Sequence, residues 1–197
     1  MARFICTAAI LIALSSTILQ AQDESESADR ALNIGVGNSG LSFGNSVRHN
    51  GVRFNWSDRR IEEINGVNMT LWKPADNLSG TINGLSIGLV APGAEDINGI
   101  SVGGLAVIGK NSLNGVSIGG LALVSSGSVT GLNVGGLAIV GGRGVTGFNL
   151  GGLAVVSSGE LVGINFGGLA VVGKSGMVGL NFGGLAVVSE GSMSGLN

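Results

Sequence analysis

The 197-residue chain has no tyrosine, one cysteine, one histidine and two prolines. Each scarcity removes a class of chemistry. A single cysteine, Cys6, cannot build a disulfide framework. The single histidine, His49, has no Cys, His or paired carboxylate at the spacing of metal ligands. Beyond Asp96 the chain contains no Asp, His, Cys, Tyr, Trp or Pro, so no Ser-His-Asp set can be assembled there. The same gap excludes the Asp-bearing glycine-rich nonapeptide of calcium-binding β-rolls. Charge is equally sparse. Ten Lys and Arg face twelve Asp and Glu, a net charge of −2, which favours neither nucleic acid nor an acidic surface as partner. From Ile97 onward the only charged residues are Lys110, Arg143, Glu160, Lys174 and Glu190. Soluble monomers normally carry a more charged surface, so the array is expected in lipid, in an assembly, or prone to stick.

What the chain does contain is glycine and a fixed period. Gly99, Gly115, Gly131, Gly147, Gly163, Gly179 and Gly195 recur with a constant 16-residue step. After each comes an apolar residue, then Ser or Asn; in the complete copies another apolar residue, Gly-Gly-Leu-Ala and two aliphatics follow. The 38 glycines follow no Gly-X-Y pattern, which excludes collagen, and 44% apolar content excludes a disordered chain. The motif Asn-Gly-apolar-x-apolar also starts at Asn50, Asn65, Asn83, Asn98 and Asn114, with first spacings of 15, 18 and 15 before the period locks. Residues 32–97 are therefore expected to be degenerate N-terminal repeats that cap a regular array at 98–197. The array stops in mid-repeat at Asn197 and is expected to be incomplete at that end.

The N-terminus has the layout of an export signal over residues 1–21: Arg3, an apolar stretch from Phe4 to Leu14, then small and polar residues to Ala21. The stretch is too short to span a bilayer as a helix. Residues 22–31, with Asp23, Glu24, Glu26 and Asp29, are expected to form a flexible acidic linker.

Glycine at this density excludes helix, and the alternation of Leu132 and Val134 with Asn133 favours strands. The Gly135-Gly136 pair suits a tight turn between short strands or a waist within one long strand. The linkers show a second, 32-residue period. Ser125-Ser126-Gly127-Ser128, Ser157-Ser158-Gly159-Glu160 and Ser189-Glu190-Gly191-Ser192 alternate with linkers carrying Lys110, Arg143 and Lys174. Successive turns of an antiparallel meander lie at opposite ends, which accounts for the alternation. The expected fold is thus all-β: an antiparallel meander of 32-residue hairpin units closing into a barrel or barrel-like sheet. Closure would remove exposed strand edges. The alternative is a parallel β-solenoid with contacts at i and i+16.

The repeats Asn98 to Leu105 and Gly179 to Ala186 resemble bacterial glycine-rich surface-repeat proteins with Asn-Gly-Leu-x-Ile-Gly-Leu-type units. They also resemble the shallow hairpin-built barrels called β-flowers. The resemblance implies an exported, envelope-associated antiparallel barrel without an assigned activity. It also places the protein at the outer membrane or cell surface, with secretion as the alternative.

Five features invite a sharper reading. Gly168 to Ser175 matches the P-loop string G-x-x-x-x-G-K-S/T, but an aliphatic strand fills its variable positions and a glycine-rich strand follows where a helix is required. Gly35 to Gly40 matches G-x-G-x-x-G, again without a following helix, and suits a glycine-rich hairpin. His49 is expected at a hairpin tip or on the surface. Trp56 and Trp72 suit cap packing or membrane-interface anchoring. Asn55, Asn68 and Asn77 open glycosylation sequons, relevant only on a eukaryotic secretory route. No catalytic, cofactor-binding or metal-binding residue is expected, and neither nucleotide nor nucleic acid as partner. The expectation is a non-enzymatic exported envelope protein associated with membrane lipid or with itself. The rival is a soluble β-solenoid binding or adhering through its Ser/Asn ladder (Ser101, Ser117, Asn133, Asn149, Asn165, Asn181).

Overall fold

The computed structural model describes residues 30–197. The expected export signal (1–21) and residues 22–29 of the linker lie outside the described residues.

The chain begins with β1 (Arg30–Val36) and β2 (Ser39–Asn45), an antiparallel hairpin. The strands β3 (Arg48–Asn55), β4 (Glu63–Thr70), β5 (Thr81–Gly88), β6 (Gly93–Gly103) and β7 (Ala106–Gly119) follow. Long and short strands then alternate. The short ones are β8 (Ala122–Ser125), β10 (Ala138–Gly141), β12 (Ala154–Ser157), β14 (Ala170–Gly173) and β16 (Ala186–Ser189). The long ones are β9 (Ser128–Gly135), β11 (Gly144–Gly151), β13 (Glu160–Gly167), β15 (Gly176–Gly183) and β17 (Ser192–Leu196).

Every pairing after the first hairpin is parallel. Asn133 pairs with Asn149, Asn149 with Asn165 and Asn165 with Asn181, while Ile139 pairs with Val155 and Val155 with Val171. The protein is a β-solenoid of stacked 16-residue coils. The expected antiparallel barrel is therefore corrected, and the alternative topology is the one adopted. The reason lies at the Gly-Gly pair, which makes a corner between two arms of one coil and not a hairpin. Gly136 N donates to Gly119 O at 3.0 Å, and Leu137 N donates to Leu121 O at 2.7 Å. Even the corners are thus bonded to the preceding coil.

Glycine is obligatory at two of these places. Gly131 and its equivalents adopt φ near +115° and kink each long strand; at Gly131 a Cβ would lie 2.0 Å from Gly115 O. At Gly136 a Cβ would meet Gly120 O at 1.9 Å. Coils spaced about 4.8 Å apart leave no room for a side chain aimed along the axis.

Residues of one row face inward in every coil. His49, Ile64, Ile82, Ile97 and Leu113 pair in register and continue as Val129, Val145, Leu161 and Met177. A second inward row, Val107, Leu123, Ile139, Val155 and Val171, comes from the short arms. Apart from His49, these rows form most of the apolar core. Each coil contributes few large apolar side chains, so the inter-coil hydrogen bonds carry a large share of the cohesion.

The third inward row is polar: Arg53, Asn68, Ser86, Ser101, Ser117, Asn133, Asn149, Asn165 and Asn181 are all buried. Asn133 Nδ2 donates to Asn149 Oδ1 at 2.8 Å, Asn149 to Asn165 at 2.8 Å, and Asn165 to Asn181 at 2.7 Å. Ser101 Oγ donates to Ser117 Oγ at 2.9 Å. An Asn149→Ala variant would leave the Asn133 amide without its acceptor and the Asn165 carbonyl without its donor. It is expected to lose roughly 2–3 kcal/mol, measurable by urea denaturation.

Candidate functional site

The linkers all lie along one edge. Gly141, Ser157, Gly173 and Ser189 pair in register, so Lys174 stands in the row that contains Glu190. The cationic and anionic linkers therefore do not separate to opposite rims. One linker contact spans two coils. The Arg143 guanidinium bonds the Asn111 side chain and, at 3.1 Å, the Asn111 carbonyl, 32 residues back. It crosses the intervening coil at Gly127, where a Cβ would lie 2.5 Å from Arg143 Nη2. A side chain at position 127 would therefore collide with Arg143.

The outward rows are mostly apolar. Leu132, Phe148, Ile164 and Leu180 form one row of the long arms. Phe54, Met69, Ile87, Val102 and Ile118 form another that continues through Leu150 and Phe182. Leu105, Leu121, Leu137, Leu153 and Leu169 mark the corner, each between 44% and 49% exposed. Val124 and Val188 lie outward on the short arms. Apolar side chains thus cover two arms and the corner between them, and the charges of the array gather at the linker edge.

The coils built from residues 48–104 depart from this regularity. Arg53 occupies the polar inward row, and its guanidinium Nη1 donates to Asp58 Oδ1 at 2.9 Å, with both side chains fully buried. Nη1 also donates to Asn68 Oδ1 at 2.6 Å, and Nη2 to Asn45 Oδ1 at 2.9 Å. Asp58 Oδ1 further accepts from Asn55 at 2.9 Å and from Asn68 at 3.1 Å. The Thr70 hydroxyl lies 2.9 Å from this oxygen and 2.7 Å from Asn55 Oδ1, and its one proton serves either. Gly93 N donates to Asp58 Oδ2 at 3.1 Å. This network pins the loop 56–62 against four coils. Sequence reading missed it, although register contains the signal: Arg53 stands two residues after Gly51, as Asn68 stands two after Gly66 and Ser86 two after Gly84.

Trp56 and Trp72 stack with centroids 6.1 Å apart at 15°, on the corner row that continues as the exposed leucines. They are 64% and 49% exposed, so they are not core packing of a cap. Beside them a groove of about 570 Å³ runs along the outside of the coils.

In the P-loop-like string, Ala170–Gly173 is strand β14, Lys174 is in the linker and strand β15 follows, so no phosphate-facing helix end exists there. The G-x-G-x-x-G string is the β1–β2 hairpin, with Gly37 at φ +59° in its turn. His49 is a correction: it is 2% exposed and its Nε2 lies 2.9 Å from Gly40 O. It precedes Asn50-Gly51 as Ile64 precedes Asn65-Gly66, and so takes the inward row. The sequon residues Asn55 and Asn68 are buried in the Asp58 network. The Ser/Asn ladder that the rival reading would use for binding faces the interior, where Asn133, Asn149 and Asn165 each donate to the next copy. A different Asn row points outward: Asn65 donates to Asn50, Asn83 to Asn65, Asn98 to Asn83 and Asn114 to Asn98, at 2.9–3.0 Å. Among the described residues no group of three or more His, Cys, Asp or Glu is placed to hold a metal ion. The chain matches no protein-family model, no curated protein and no solved structure.

Proposed function

We propose that this is a non-enzymatic, exported cell-envelope repeat protein whose apolar outer rows rest against a lipid surface. The observation that carries the reading is the distribution of exposed side chains around the coil. Apolar residues predominate on the outside of two arms and at the corner between them, while Lys110, Arg143, Glu160, Lys174 and Glu190 lie at the linker edge. Contiguous exposed apolar surface of this extent marks an interaction site. A flat partner copy covers one arm; a fluid lipid phase can surround the corner and both arms at once. The stacked pair Trp56–Trp72 suits the interface between headgroups and acyl chains. Repetition itself argues against catalysis, which requires unlike groups converging on one point, whereas rows of like residues suit extended contact. The export reading rests on the residues of the 1–21 segment.

The protein lacking residues 1–21 is expected to float with phosphatidylcholine–phosphatidylglycerol vesicles in a density gradient. Serine at Leu121, Leu137 and Leu153 together should weaken this binding by about tenfold or more, since each removes half-exposed apolar surface. A protein that stays at the bottom of the gradient as a monomer overturns the reading. A stable dimer indifferent to vesicles also overturns it, in favour of self-association.

A further inference from the structure

We infer that the groove beside Trp56 is a binding site for a single long-chain anionic amphiphile, such as a fatty-acid carboxylate. This goes beyond lipid-surface contact, because it assigns one ligand to one place in the irregular coils.

The groove has a shape that suits an acyl chain. One wall is the outward row Phe54, Met69, Ile87 and Val102; the other holds Trp56, Leu71 and Leu89. Gly88 and Gly104 bring bare backbone to its surface, and it begins at Gly44. It thus crosses five successive coils, a length of about 19 Å at the inter-strand spacing. Its two polar lining residues, Asn55 and Thr70, already bond within the Asp58 network. What remains for a ligand is an elongated apolar trough.

The polar end is next to it. Trp56 also lines a second hollow of about 390 Å³ with Ser57, Trp72, Arg59, Lys73 and Asp76. Two exposed cations and one carboxylate give this hollow a net positive charge that complements one anionic headgroup. The loops that carry them are fixed: Ser57 Oγ donates to Lys73 O at 2.7 Å and Ala75 N donates to Asp58 O at 2.9 Å. A comparable apolar groove of about 540 Å³ lies at the other end of the solenoid, by Leu150, Phe166 and Phe182, and no charged residue lines it. Trough and cations meet at Trp56, which lines both hollows, in the coils whose spacing breaks the 16-residue rule.

Trp56 and Trp72 are the only tryptophans, so quenching of fluorescence reports on this place alone. The protein lacking residues 1–21 is titrated with a bromine-labelled stearate below its micelle concentration. Saturable quenching is expected, about tenfold weaker for the bromine-labelled stearyl alcohol and for the Arg59→Ser, Lys73→Ser double variant. Both cations are exposed, and the alcohol comparison needs no variant. Equal affinity for acid and alcohol overturns the anionic headgroup. Quenching by vesicles of brominated phospholipid without quenching by the monomeric acid overturns this site while the lipid-surface reading stands. Quenching by the acid in a protein that ignores vesicles does the reverse.

Discussion

An Asp58→Ala variant is expected to lose about 3–5 kcal/mol of stability, concentrated in the N-terminal coils. Asp58 is buried and accepts from Arg53, Asn55, Asn68 and Gly93. Removing the carboxylate takes the Asp58 charge away from a guanidinium held in the core, and breaking a buried pair from one side costs more than the pair itself contributes. In a solenoid each coil contacts mainly its neighbours, so the damage should be local. Amide hydrogen exchange is expected to accelerate across β3, β4 and β5 while β11, β13 and β15 stay protected. Uniform loss of protection would contradict the nearest-neighbour picture. Replacing both partners, as Arg53→Met with Asp58→Leu, should recover part of the loss because neither charge of the pair remains buried.

Gly147→Ala is expected to be nearly as damaging, although it adds one methyl group. Gly147 adopts φ +111°, and a Cβ there would lie 2.2 Å from the carbonyl oxygen of Gly131. The carbonyl belongs to the sheet backbone and has little freedom to retreat. Backbone strain and the forced separation of two coils together cost about 3 kcal/mol or more. The neighbouring Thr146→Ala changes an exposed outward residue and should stay within roughly 0.5 kcal/mol. Equal urea midpoints for the two variants would refute the argument.

These two positions differ in how far sequence alone exposes them. Gly147 announces itself, because the same glycine recurs with the 16-residue period and no other residue type replaces it in the array. Asp58 does not. It sits in the 56–62 loop, which lacks the Leu-Ala-aliphatic-aliphatic string of the regular coils, and its importance depends on Arg53 and Asn55 of β3 and Asn68 and Thr70 of β4 meeting it once the coils are stacked. The Trp56 groove was invisible for the same reason: its walls come from five coils, and its cations from two loops that only packing brings together. His49 lay between these cases. Counting back from the Asn-Gly motif gives its inward position, whereas composition suggests a surface histidine.

The primary structure by itself determined an all-β repeat with a 16-residue unit, its degenerate early copies and the sparse charge of the regular array. Those follow from local rules: glycine spacing excludes helix, and alternation with period 2 selects strands. Only the tertiary structure decided that the copies stack in parallel and that Asn133, Asn149 and Asn165 face inward while Leu132 and Leu137 face out. A single repeat cannot specify this, because an amide is costly inside alone and tolerable when an identical amide lies one coil away. The linker alternation suggested opposite ends, yet stacking puts every linker on one edge and lets Arg143 cross Gly127 to bond Asn111. That contact joins residues two coils apart in the stack, and its meaning exists only once the coils are stacked.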